Sequence, residues 1–186
     1  MRTFHGRIPI FTRRQVQAYF DKFHFLLPVI DKLSFLQRYR RLMDNRGAGE
    51  QAGFVSVVFA VFACAARFVN DPRIRPEGVG KDSRGTPMIF YERSVPRVSN
   101  GTTLMASYIP LSSSMMLYYI SATSTQLAHV QCLALLSSFL ASLNRLPQAW
   151  LLVGQAVRTA QDLGLHRSSR PLAMSPVEKE TRRKVW

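Results

Sequence analysis

The sequence predicts an all-α fold, and three observations lead to that prediction. Apolar residues recur at helical spacing in both halves of the chain, and no stretch sustains the two-residue alternation of a strand. Proline or glycine falls at the ends of several periodic stretches. With 186 residues, 47% of them hydrophobic, the chain is long enough for one core and short for two. We therefore expect a single, irregular helical domain.

The first predicted helix covers residues 12–26. Its apolar residues fall at i, i+3, i+4 and i+7 and form one stripe: Val16, Tyr19, Phe20 and Phe23. Thr12 and Gln15 have the spacing of a capping box, which would start the helix. Pro28 would stop it, because proline cannot continue a helix.

Two further helices complete the predicted N-terminal segment, residues 1–69. The shorter one covers residues 34–43, and its apolar side carries Phe35, Leu36, Tyr39 and Leu42. Gly47 and Gly49 then interrupt the chain. The next run, residues 52–66, is apolar all round but shorter than the roughly 20 residues that span a bilayer. We expect a helix buried among other helices rather than a membrane span.

Residues 70–116 differ from the rest of the chain. They begin with a turn-rich stretch that holds several prolines and glycines, and they continue as a Ser/Thr-rich stretch without helical or strand period. So long a segment without regular structure is uncommon inside a compact domain. We expect a lid, a disordered insertion or sequence foreign to the mature protein. For residues 93–116 the alternatives are a lineage-specific insertion or a retained intron.

Helical spacing returns in the C-terminal segment, residues 117–186. From Thr125 the inward residues are Leu127, Val130, Leu133, Ala134 and Leu136. Residues 144–147, NRLP, predict a short turn into an antiparallel helix over residues 148–163. On that helix we expect one buried stripe: Ala149, Trp150, Val153, Ala156, Val157 and Ala160.

The end of the chain contains strong helix signals. Gly164 can supply the left-handed residue that ends a helix, with Leu165 folded back onto the last turn. Residues 175–178, SPVE, form a capping box with proline at the first helical position. Glu178 with Arg182, and Glu180 with Lys184, have the spacing of ion pairs on one helix face. Since so short a helix is marginal alone, we expect a domain that is incomplete at its C-terminus.

No catalytic or metal site is evident. Cys64 and Cys132 lie in apolar runs, which excludes a disulfide framework and a zinc site of paired cysteines, and indicates two small buried hydrophobes. The four histidines lack metal-ligand spacing: His5, His24, His129 and His166. Residues 78–83 approach a phosphate-binding loop but lack its first glycine and its hydroxyl residue. We expect neither an enzyme nor a bound cofactor.

Several stretches in consistent order resemble the fungal-specific transcription factor regulatory domain, also called the middle homology region or xylanolytic activator regulatory domain. They include YFDKFHFLLPVIDKLSFLQRY, VQCLALLSSFL and AWLLVGQAVRTAQDLGLHRSSRPLAMSPVEKETRRKVW. The resemblance as a whole extends over about two-thirds of the chain. The residues that carry the family's motifs, which we expect to be architectural, are Trp150, Ala160, Asp162, Leu163, Gly164, Leu165, His166, Arg167, Ser175, Pro176, Glu178, Arg182, Arg183 and Trp186.

The resemblance implies a non-catalytic, all-helical regulatory domain of a nuclear fungal transcription factor. In that family a separate zinc cluster of six cysteines contacts DNA, so zinc and DNA are implied for that domain and not for this chain. For the helices it implies a small-molecule effector or a regulatory protein as partner. We also expect a homodimer and no contact with a membrane.

The charge of the chain supports a rival interpretation. Its 25 lysines and arginines outnumber 11 acidic residues, which gives a formal net charge of +14. Such an excess favours a polyanionic neighbour. The rival is therefore a stand-alone basic helical protein that binds nucleic acid or an anionic membrane without specificity.

Overall fold

The computed structural model describes residues 9–44, 52–69, 123–168 and 173–186. This part of the chain contains six helices and no strand, which confirms the predicted fold class. The helices are α1 (Pro9–Lys22), α2 (Lys32–Asp44), α3 (Ala52–Ala65), α4 (Thr123–Ser142), α5 (Leu146–Asp162) and α6 (Pro176–Val185). The predictions made for residues 70–116, for the loop-like residues 78–83 and for His5 lie outside the described residues.

The helices share one hydrophobic core in which α4 has the most neighbours. α4 packs against α3, α5 and α6, and α3 also packs against α1. α2 joins the core through aromatic rings, since the ring of Phe35 lies 5.6 Å from that of Phe20 on α1 and 5.5 Å from that of Phe54 on α3. The core is thus continuous from the N-terminal helices to the C-terminal ones.

α1 begins at Pro9, so the predicted start at the capping box of Thr12 and Gln15 is wrong. Proline suits a first helical turn because it has no amide hydrogen to leave unbonded. Gln15 consequently lies well inside the helix and is fully buried. The predicted stripe is confirmed, because Val16, Tyr19 and Phe23 are buried and Phe20 packs against them: all four belong to the core.

α2 begins two residues before its predicted start because Asp31 caps it. The backbone N–H of Ser34 donates to Oδ2 of Asp31 at 2.9 Å, and this bond lowers the pKa of the Asp31 carboxyl. The predicted apolar side is confirmed: Phe35, Tyr39 and Leu42 are buried, and Leu36 packs against the core.

α3 is the buried helix that the sequence predicts. Every side chain from Val57 to Ala66 is buried, as expected of a helix that is apolar all round. Both cysteines are free, buried thiols, and Sγ of Cys64 donates to the carbonyl oxygen of Leu135 on α4 at 3.4 Å. Among the described residues, no helix combines the length and hydropathy that crossing a bilayer requires.

α4 and α5 form the predicted hairpin of helices, joined at residues 143–145 with Asn144 in a left-handed conformation at φ 58°. The inward residues of α4 are confirmed: Val130, Leu133 and Leu136 are buried, and Leu127 and Ala134 pack against them. The C-terminal end of α5 lies beside α6, where Arg182 donates a hydrogen bond to the carbonyl oxygen of Leu163.

The predicted stripe on α5 is only half correct. Ala149, Ala156 and Ala160 are buried as expected, together with Leu152: these four face the core. Trp150, Val153 and Val157 are instead 77%, 41% and 43% exposed. The described neighbours of α5 cover only part of its apolar arc, and side chains along one edge of the arc are exposed.

Candidate functional site

The C-terminal end of α5 is closed by its own backbone. The N–H of Gly164 donates to the carbonyl of Gln161, and the N–H of Leu165 donates to the carbonyl of Ala160, both at 2.9 Å. Gly164 has φ +66°, a conformation that glycine adopts without cost. These are the two bonds of a Schellman motif, and the buried side chain of Leu165 supplies the apolar contact that accompanies it. The predicted helix end is confirmed.

α6 begins with the predicted cap. The side chain of Ser175 accepts a hydrogen bond from the N–H of Glu178 at 3.2 Å, and Pro176 occupies the first helical position. Of the two predicted ion pairs, the one between Glu180 and Lys184 is present, with Nζ of Lys184 3.7 Å from Oε1 of Glu180. Glu180 is closer to Arg183, at 2.7 Å.

Arg182 does not use its predicted partner, Glu178. Its side chain is buried, and Nη2 donates to the carbonyl oxygen of Leu163 at 2.9 Å. Leu163 is the C-cap residue of α5, where carbonyl groups lack helical partners and the helix dipole is negative. A guanidinium at this position therefore compensates the end of α5, and it ties α6 to that end.

A second contact joins the same two segments through rings. The imidazole of His166, just after α5, lies 5.8 Å from the indole of Trp186, just after α6. We call the region formed by the end of α5, residues 163–167 and α6 the motif junction. It unites the family-like stretches at 160–167 and 175–186, which the sequence alone only places in order.

The other motif residues do not share one environment. Ala160 is buried in the core, whereas Asp162 and Arg167 are exposed near the end of α5. Arg183 is exposed and paired with Glu180. Trp150 lies near the opposite end of α5 and does not reach the motif junction. The motif residues are therefore not a single pocket.

α6 also faces the connection between α1 and α2. The positive charge of Lys184 lowers the pKa of the Asp31 carboxyl. It lowers the pKa of His24 as well, after the larger effect of burial and together with Lys32. The C-terminal end of α6 thus lies close enough to the connection between α1 and α2 for the charge of Lys184 to act on groups there.

Sequence reasoning missed a set of buried polar groups in the core. Four buried atoms have no hydrogen-bond partner among the described residues: both side-chain amide atoms of Gln15, the hydroxyl of Tyr19 and Nε2 of His129. Burial raises the pKa of the Tyr19 hydroxyl, with a smaller contribution from Cys64, and burial lowers the pKa of His129 to about 4. Helical spacing could have placed Gln15 on the face of Tyr19, one turn away.

The chemistry available in the described residues is limited. No group of three or more His, Cys, Asp and Glu side chains in this part of the chain is arranged to hold a metal ion. Burial raises the pKa of both the Cys64 and Cys132 thiols, which keeps them in the unreactive thiol form. In the motif junction itself, backbone hydrogen bonds at Gly164 and Leu165 close α5, and Arg182 joins α6 to that end.

The chain is similar to known proteins over most of its length. Residues 16–186 match the family model described as the fungal specific transcription factor domain. A relative, "Transcription factor FBD3" of Gibberella moniliformis (strain M3125 / FGSC 7600), is 26% identical over 171 residues. The match covers 92% of this chain and 20% of that protein, so the chain spans about a fifth of its relative's length. No solved structure matches. Since the family model covers most of the chain, this chain belongs to the fungal-specific transcription factor domain family.

Proposed function

We propose that this chain is a non-catalytic regulatory domain of a fungal zinc-cluster transcription factor and that it modulates transcription in the nucleus. DNA would be contacted by a separate zinc-cluster domain, which alone would require zinc. The chain itself would need no cofactor and would contact no membrane. Family membership supports the role in transcription, and the name of the relative is consistent with it.

The hydrogen bond between Arg182 and Leu163 is the observation that carries the proposal. In two stretches that resemble family motifs, polar side chains form hydrogen bonds at helix ends. Ser175 caps the start of α6, and Arg182 binds the end of α5. An enzyme would instead direct such groups at a shared reacting atom. The arrangement supports a scaffold whose α5 and α6 keep a fixed relation, and whose surface controls the activity of the factor. An effector or a regulatory protein would act by changing that relation.

A transcript measurement with matched variants tests the proposal. Arg182→Met and Arg183→Met, placed at the native locus, remove one charge each from neighbouring positions of α6. We expect Arg182→Met to change the abundance of a set of transcripts, and Arg183→Met to leave them unchanged, with the amount of each protein measured by immunoblot. Deletion of the whole reading frame should alter the same transcripts. If deletion changes no transcript, the proposed function is wrong.

The net charge of +14 favours a second candidate function, direct binding to a polyanion. Four exposed arginines could contribute to such binding: Arg13 and Arg14 on α1, and Arg40 and Arg41 on α2. This candidate expects the purified chain to bind arbitrary DNA or anionic vesicles, with an affinity for DNA that falls steeply as salt is raised. The regulatory proposal expects little such binding at physiological salt. Fluorescence anisotropy with a labelled duplex of arbitrary sequence separates the two.

A further inference from the structure

We draw no further inference here: the strongest candidate, the row of exposed apolar side chains that Leu146, Trp150, Val153 and Val157 form along one edge of α5, carries none, because nothing in the described part of the chain shows what covers it.

Discussion

Nη2 of Arg182 on α6 donates a hydrogen bond to the carbonyl oxygen of Leu163, at the end of α5, over 2.9 Å. The pattern occurs twice, because Nη1 of Arg67, which follows α3, donates to the carbonyl oxygen of Ser142, the last residue of α4. In both cases a guanidinium compensates the negative end of a helix that another segment of the chain contributes. These two arginines join segments that are distant along the chain.

Arg182→Met should destabilise the protein. Methionine retains an apolar stem but leaves the Leu163 carbonyl without its donor. Because this bond is only partly buried, its loss should cost about 1–2 kcal/mol. Urea unfolding followed by circular dichroism should show a lower midpoint. Arg183→Met is the matched control, because Arg183 is exposed, and its midpoint should equal that of the unchanged chain. Equal midpoints for both variants would mean that the Arg182 bond contributes nothing.

Two glycines should respond to alanine in opposite directions. Gly164 has φ +66°, so Gly164→Ala should lower stability by about 1–2 kcal/mol through backbone strain alone, because the nearest atom to a new Cβ is 3.8 Å away. Gly154 lies in open helical backbone, so Gly154→Ala should raise stability by about 0.5–1 kcal/mol. Thermal unfolding at low chain concentration measures both effects. Changes of the same sign would contradict this reading of the Gly164 turn.

Gln15→Leu should stabilise the core. The buried amide of Gln15 has no hydrogen-bond partner in the described part of the chain. Such a group costs about 1–3 kcal/mol, a cost that leucine of similar size removes. Gln17→Leu is the control on the same helix, because Gln17 is exposed and donates to Asp21 at 2.9 Å. We expect a higher melting temperature for the first variant only. A lower one would show that Gln15 has a partner in solution, such as a bound water.

Acid should destabilise the protein partly through His129. Its pKa is about 4 in the folded chain and near 6.5 when unfolded. Between those values the unfolded state binds the proton first, so the free energy of unfolding falls as pH drops from above 6.5 to about 4, by up to about 3 kcal/mol. Burial lowers the pKa of His24 too, with the same sign.

Paired variants isolate that contribution. His129→Leu should flatten the dependence of unfolding free energy on pH between 6.5 and 4. Gln148→Leu, at an exposed position of α5 that carries no titratable group, should not. Urea unfolding at a series of pH values gives the slopes. An unchanged slope in His129→Leu would show that this imidazole is solvated in solution.

Local features of the chain could be predicted from its sequence, and long-range ones could not. The Gly164 turn and the Ser175 cap depend on residues within one helical turn, and both are present. Arg182 was expected to pair with Glu178 four residues away, yet its partner is a carbonyl 19 residues away. Spacing cannot reveal such a bond, because it depends on how two helices meet.

The sequence also does not determine which part of a helix's apolar arc the core will cover. On α5 the spacing predicted a helix, but it could not say which edge of the arc the core would cover, so Trp150 was placed inward and is exposed. At α1 the capping box of Thr12 and Gln15 predicted a helix start at residue 12, but the helix begins three residues earlier, at Pro9. The order of the motifs indicated the family from the sequence alone. The contact between the motifs could be seen only in the structure.

α4 packs against one helix that is close to it in sequence and one that is far from it, and this difference affects the order of folding. α5 reaches α4 through a three-residue connection, residues 143–145, whereas α3 reaches it across residues 66–122. Bringing two helices together across the larger separation in sequence costs on the order of 2–3 kcal/mol more in chain entropy. The α4–α5 hairpin should therefore assemble first and present a template on which α3, with α1, condenses. Alanine substitutions in the hairpin would then slow refolding, and those in α3 would mainly speed unfolding.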